Sequence, residues 1–269
     1  MHSAQIDTQI IAHSRVAKNY YLLTLEVPLL FKEAQPGQFV HIKIDDSGDP
    51  LLRRPLSIHR LMPARSKSNQ LLLNVLYELK GRGTKLLSQK RTGEHLNILG
   101  PLGKGFNLEP KEKSERTNII VAGGAGVAPL YFLASKLAQD KKNKNEIVVL
   151  IGAGTAAKIL AEKEFKSLGG EVVLATDDGT SGYKGKVTKL FEKVLAKKDA
   201  KRTSVYACGP QAMLTEISKI CIIKRIPLQV SLEEFMGCGL GACLGCAIET
   251  KSGYQRVCHE GPVFDARDI

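Results

Sequence analysis

Four of the six cysteines fall in the last 32 residues, in the order Cys238-x4-Cys243-x2-Cys246-x11-Cys258. Thiolates hold iron, zinc or one another, and spacing helps to separate these cases. Three ligands on one short loop, with a fourth arriving beyond an apparent hairpin, are the pattern of a [2Fe–2S] cluster. A structural zinc site more often uses two close pairs. Disulfides belong to oxidising compartments, and the opening MHSAQIDTQIIAHSR lacks the apolar stretch of a signal peptide. A reducing cytoplasm is therefore the expectation. Gly237, Gly239, Gly241 and Gly245 interleave the cysteines and let main-chain N–H groups turn toward sulfur. Cys238, Cys243, Cys246 and Cys258 are the candidate metal ligands, and Cys221, on an expected helix, reads as a buried thiol.

Three further motifs suit phosphate and flat rings. In Arg53-Arg54-Pro55-Leu56-Ser57 a guanidinium and a hydroxyl stand three residues apart on extended chain. Together they can hold phosphate oxygens while the main chain lines a ring. The turn Lys80-Gly81-Arg82-Gly83-Thr84, ahead of a helix predicted over 85–89, offers N–H groups and a hydroxyl to a pyrophosphate. Residues 121–130, Val-Ala-Gly-Gly-Ala-Gly-Val-Ala-Pro-Leu, read as strand, glycine turn and helix start. Gly123, Gly124 and Gly126 allow close approach of a pyrophosphate, and Pro129 suits a first helical turn. No Lys-Ser/Thr follows, which disfavours an ATP-binding P-loop. Cys208-Gly209-Pro210, with Met213 beyond, ends a late strand, where ligands of open α/β sheets collect. Asp177 and Asp178 end another and could meet ribose hydroxyls or simply make a turn. The absence of an arginine cluster near Lys158 favours NAD over NADP.

The elements that must carry these residues follow from the apolar pattern. Up to about residue 105 the chain reads as strands, over 20–27, 39–44 and 71–77. Turn chemistry separates them at Pro36-Gly37, at Asp45-Asp46-Ser47-Gly48 and over 66–69. Short strands without helical periods between them predict a small antiparallel barrel. From about residue 117, strands at 118–122, 146–152, 171–175 and 204–207 alternate with helices at 129–139, 156–168, 186–195 and 213–223. That alternation predicts a parallel sheet covered on both faces. The expected fold is β plus α/β: a barrel domain over 1–108, a charged linker over 109–116, a nucleotide-binding domain over 117–230 and a cluster segment over 231–269.

Of the 269 residues 43% are hydrophobic, and no run approaches the ~18 apolar residues of a membrane span. A net charge of +12 would permit a nucleic-acid partner. The lysines are dispersed, however, and no basic stripe is interleaved with aromatics as single-stranded nucleic acid needs. An anionic cofactor or acidic partner accounts for the excess as well.

Arg54-x-Leu56-Ser57, Gly83-Thr84, Gly100-Pro101-Leu102-Gly103, the turn over 123–130 and Cys208-Gly209-Pro210 occur in the order of the ferredoxin–NADP reductase superfamily, which the chain resembles. Ser231-Leu232-Glu233-Glu234 leading into the cysteine loop, and Val257-Cys258-x-x-Gly261-Pro262-Val263-Phe264 closing the chain, narrow the likeness. They resemble the electron-transfer subunits of the two-subunit, NAD-dependent bacterial dihydroorotate dehydrogenases. The resemblance implies FAD contacts from Arg54, Pro55, Leu56 and Ser57, from Leu76, Tyr77 and Glu78, and from Gly83 and Thr84. It implies a separate FMN-containing catalytic subunit, assembled two with two, that oxidises dihydroorotate to orotate in pyrimidine biosynthesis. Electrons would pass by way of the cluster and FAD to NAD+, so no catalytic acid or base is needed here, and His59 and His259 are given no role. Leu56 departs from the Tyr or Phe that many reductases carry at that place. Alternatives are a reductase subunit serving a hydrogenase, sulfite reductase or ferredoxin, a self-contained flavin reductase, and a zinc-stapled nucleotide sensor.

Overall fold

The computed structural model describes residues 3–45, 47–64, 69–108, 116–140 and 145–269. Most of the expected linker, Asp46 and most of the 66–69 turn lie outside them. The described residues form two compact units. One comprises Met1–Gly105 with Glu233–Pro262, the other Phe106–Leu232 with Val263–Ile269.

In the first unit, β1 (Ala4–Ala17), β2 (Tyr20–Pro28), β3 (Phe39–Ile42), β4 (Arg54–Pro63), β5 (Gln70–Glu78) and β6 (His95–Leu102) close a barrel in the order β1-β2-β5-β4-β3-β6. The helix α1 (Arg82–Leu87) joins β5 to β6. Ile10, Leu23, Leu25, Ile58, Leu73, Val75 and Ile98 fill its interior. Sequence reading had no strand at β1 or β6. The signal in β1 is period-two alternation, with Thr8 and Ile10 inward and Asp7 outward. It is weak because one face is almost wholly polar. Pairing of β1 with β6, from Ala4–Gly100 to Gln9–His95, closes the barrel.

The second unit begins with β7 (Thr117–Gly123), α2 (Val127–Gln139), β8 (Glu146–Ala153), α3 (Glu162–Ser167), β9 (Glu171–Thr176) and β10 (Tyr183–Lys184). It continues with α4 (Val187–Leu195), β11 (Thr203–Cys208), α5 (Gln211–Ile223) and β12 (Leu228–Ser231). The sheet order is β10-β9-β8-β7-β11-β12 and then β15 (Val263–Asp265), and the strands run parallel except at the last. Strand β7 reads almost uninterrupted apolar residues because helices cover both faces. Helix α4 buries Val187, Leu190, Phe191 and Leu195, a single stripe at helical spacing.

The helix expected over 156–168 is broken. Ala156–Lys158 is one 3-10 turn, Ala161 takes φ 56°, and α3 starts at Glu162. Leu160 and Phe165 are both buried. Five residues apart on an unbroken helix they would point about 140° from each other, so the interruption lets both face the core.

The cysteine-rich tail, expected as one segment, is divided between the units. The hairpin β13 (Ala247–Thr250) and β14 (Gly253–Arg256) lies in the part that packs with the barrel, tied there by Lys104 N–H donating to Gly261 O at 2.6 Å. The chain then pairs β15 (Val263–Asp265) antiparallel with β12. Among the described residues no helix is long and apolar enough to cross a membrane.

Candidate functional site

Residues 53–57 are all half-buried although they start a barrel strand, which leaves their edge open to a ligand. The Arg54 guanidinium lies on Gly83, where an added Cβ would stand 2.4 Å from Nε. Residues 29 apart in sequence thus meet at one place. Both hydrogen bonds of Arg54, to the carbonyls of Leu52 (2.6 Å) and Arg53 (3.3 Å), leave from Nη1, so its remaining nitrogens suit a phosphate. Arg53 is used differently: it donates to Asn97 O at 3.0 Å and to Asn97 Oδ1, and Asn97 in turn donates to Asp7. Thr84 Oγ1 closes its own turn, donating to Gly81 O at 3.1 Å and accepting from the N–H groups of Gly81 and Lys80. That differs from the hydroxyl left free for pyrophosphate in the sequence reading. Leu76 and Tyr77 are buried on β5. Tyr77 hydroxyl hydrogen-bonds His13 Nε2 at 2.9 Å and its ring stacks on Tyr21. Glu78 pairs with Lys80 at 3.3 Å.

In the second unit the chain leaves β7 toward β8, β9 and β10, then returns to β11 on the other side of β7. The carboxyl ends of β7 and β11 therefore flank a topological switch point, the place where such sheets bind ligands. The glycine turn (Gly123, Gly124, Gly126) and Cys208-Gly209-Pro210 both sit there. A Cβ at Gly126 would lie 2.1 Å from Cys208 O, so only glycine lets the two turns touch. Pro129 occupies the first turn of α2. Asp178, at the end of β9, accepts from Thr180 N (3.0 Å) and Oγ1 (2.6 Å). Those hydrogen bonds hold its carboxyl below the usual range. Thr180 Oγ1 in turn accepts from Ala156 N at 2.8 Å, fastening the loops after β8 and β9 together. Asp178 thus braces its own loop through one carboxylate oxygen, at the end of a strand two places from β7 in the sheet.

All six cysteines are free thiols. Each of the four in the tail accepts a main-chain N–H: Cys243 from Cys238 (3.4 Å), Cys238 from Leu240 (3.3 Å), Cys258 from Gly241 (3.2 Å) and Cys246 from Cys258 (3.4 Å). Their thiols neighbour one another as Cys238 with Cys243 and Cys246 with Cys258. Among the described residues no three His, Cys, Asp or Glu side chains gather around one point as a single ion requires. Two thiol pairs with N–H groups aimed at every sulfur fit a two-iron cluster with two thiolates per iron. One tetrahedral zinc would need all four around a point. Burial works against the Cys238 thiolate, but the N–H groups of Leu240, Cys243 and Ala242 and the Cys243 thiol outweigh it and bring its pKa to about 6. Burial and the adjacent Cys246 push Cys258 up to about 12.

Residues 233–269 match the family described as the iron-sulfur cluster binding domain of dihydroorotate dehydrogenase B, and residues 120–219 the oxidoreductase NAD-binding domain. The dihydroorotate dehydrogenase B (NAD(+)) electron transfer subunit of Desulforamulus reducens is 42% identical over 99% of this chain and 98% of its own. The chain belongs to the family of dihydroorotate dehydrogenase B electron transfer subunits. The member from Geobacillus thermodenitrificans is 40% identical over 97% and 96%. The fold is shared with an NADH-dependent reduced ferredoxin-NADP oxidoreductase, 28% identical with TM-score 0.78 over 97% of this chain and 89% of that one. The ferredoxin reductase of carbazole 1,9a-dioxygenase, 18% identical with TM-score 0.70 over 86% and 69%, shares the fold alone.

Within this iron–sulfur domain the structure adds residues that sequence reading missed. Arg256, two residues before Cys258, donates from Nη1 to Gly241 O at 2.6 Å, the peptide neighbour of the N–H that reaches Cys258. Glu260 clamps it, accepting from Arg256 Nε (3.0 Å) and N (2.8 Å), and the Arg256 guanidinium holds the Glu260 carboxyl well below the usual carboxylate range. A lone arginine beside a ligand was a visible hint. Arg256→Gln, which removes its charge and leaves that of Glu260, is expected to lower the cluster's midpoint potential. A spectroelectrochemical titration measures this.

Proposed function

We propose that this chain is the electron-transfer subunit of an NAD-dependent dihydroorotate dehydrogenase, working with an FMN-containing catalytic subunit in a two-plus-two assembly in the cytoplasm. The observation that carries this reading is whole-length identity of 42% to such a subunit, joined to four paired thiols with an N–H on each sulfur. When bound, FAD exchanges one electron or two, the cluster one, and NAD(H) a hydride, which together connect single-electron and hydride chemistry.

The residues divide the work. Arg54 and Ser57, with Gly83 and the α1 turn, would hold FAD phosphate and ring while Pro55 and Leu56 line it. The N–H groups at 123–126, with Pro129 and Cys208-Gly209-Pro210, would hold NAD(H). The buried pair Cys246 and Cys258 and the more open pair Cys238 and Cys243 would hold the cluster.

Anaerobic mixing tests the proposal. Dihydroorotate should bleach the visible absorption only when the catalytic subunit is present, and NADH should bleach it without. Bleaching of the isolated chain by dihydroorotate, or none with the partner, would refute it. Likeness to an NADH-dependent reduced ferredoxin-NADP oxidoreductase supports a second reading, a reductase serving a ferredoxin. Rapid NADH-driven reduction of ferredoxin, with no response to dihydroorotate, would select that reading.

A further inference from the structure

His41 lies in the middle of β3 and is 0% exposed, yet neither ring nitrogen has a hydrogen-bond partner. A buried polar group left unpaired is destabilising, so an imidazole held this way needs a reason. Its surroundings supply one. Along the barrel its main chain pairs with Pro55, inside the half-buried run 54–57, and Arg53 Nη1 donates to His41 O at 3.3 Å. Across the ring lies the cysteine loop. A Cβ on Gly239 would stand 2.5 Å from His41 Nδ1 and 3.1 Å from Cε1, so the Gly239 main chain, at φ 72°, rests directly on the imidazole.

The main chains of Cys238 and of Arg53 both approach the ring, short of hydrogen-bond geometry. Burial, with the Arg53 charge, lowers the His41 pKa to about 4 and leaves the ring neutral. A neutral imidazole has one N–H and can serve only one of two acceptors. Gly239 and His41, 198 positions apart, are in contact where β3, paired with β4 over 54–57, meets the turn that carries Cys238.

We propose that His41 is a positioning residue: its buried ring seats the Cys238-Gly239 turn on the barrel strand beside 54–57 and thereby sets how Cys238 is presented to the cluster. This rests on the FAD and cluster assignments above. The ring touches neither reacting group's chemistry in this role; it holds backbone. Placing a ligand within a fraction of an ångström requires such a support.

The test compares His41→Leu with His41→Asn, whose amide nitrogen can stand near the place of Nδ1, the ring nitrogen beneath Gly239, in anaerobically prepared protein. Flavin absorbance, iron content, the EPR spectrum of dithionite-reduced protein and the thermal midpoint are read for each. His41→Leu should keep FAD and a thermal midpoint no lower than the parent, since it removes two unpaired buried nitrogens. It should shift the EPR line positions or lose iron, and slow cluster reduction by NADH about tenfold or more. His41→Asn should recover most of the parent spectrum. Parent-like EPR, iron content and reduction rate in both variants would overturn the proposal. So would loss of FAD together with iron, because the ring would then be supporting the barrel at large. The unsubstituted protein, run alongside, tests the cluster assignment separately by its own EPR signal.

Discussion

Cys246→Ala protein is expected to retain FAD and its reduction by NADH while losing iron and all orotate-linked NADH formation with the catalytic subunit. Cys246 is buried, and its sulfur accepts the N–H of Cys258, the next ligand along the chain. Removing that thiolate leaves one iron with a single protein ligand of the two assigned to it, and takes from Cys258 the neighbour it is paired with. A [2Fe–2S] site is held by four thiolates, and a methyl group cannot replace one. The residues assigned to FAD lie on β4, β5 and α1, and those assigned to NAD(H) on the α/β unit, so flavin reduction by NADH has no need of the loop. Iron analysis, the visible spectrum and the coupled assay measure the separation. Wild-type orotate-linked turnover in the alanine variant would contradict the cluster's place between the partners.

Phe235→Asp should weaken association with the catalytic subunit by about 2–4 kcal/mol, roughly 30- to 1,000-fold in Kd. Phe235 is 93% exposed, and Leu240 and Leu244, on the same cysteine-bearing segment, are 54% and 64% exposed. Three large apolar side chains presented to solvent around metal ligands are costly unless a partner covers them. A buried aromatic anchor commonly dominates such an interface. The carboxylate would place a charge in its centre without altering any cysteine, so iron content and the visible spectrum should stay unchanged. Ile223→Asp, on α5 and 81% exposed, is the control and should bind as the parent does. Sedimentation or surface-binding measurements decide between them.

The ligand loop was legible because its information is local. Cysteine spacing, interleaved glycines and the hairpin before Cys258 all lie within about 20 residues, and β13 and β14 form that hairpin. The strand–glycine–helix turn at 123–130 was readable for the same reason, since a βα turn is specified by its own residues. The helix predicted over 156–168 went wrong where tertiary packing overrode helix propensity, with Leu160 and Phe165 both drawn to the core through a break at Ala161. Strand β1 escaped notice because its inward face is short and its outward face polar, and its pairing with β6 spans some 90 residues.

Sequence alone therefore determined the cysteine pattern of the iron–sulfur domain, the glycine turns and the β plus α/β order, because each is written in residues close along the chain. Tertiary structure decided what distant residues do to one another. It laid Arg54 on Gly83 and engaged Thr84 and Asp178 in bracing their own loops. It also turned 233–262 onto the barrel and put His41 beneath Gly239. No propensity or spacing encodes such contacts; they exist only once the barrel has closed and the tail has folded back, when burial and excluded volume select which side chains share a site.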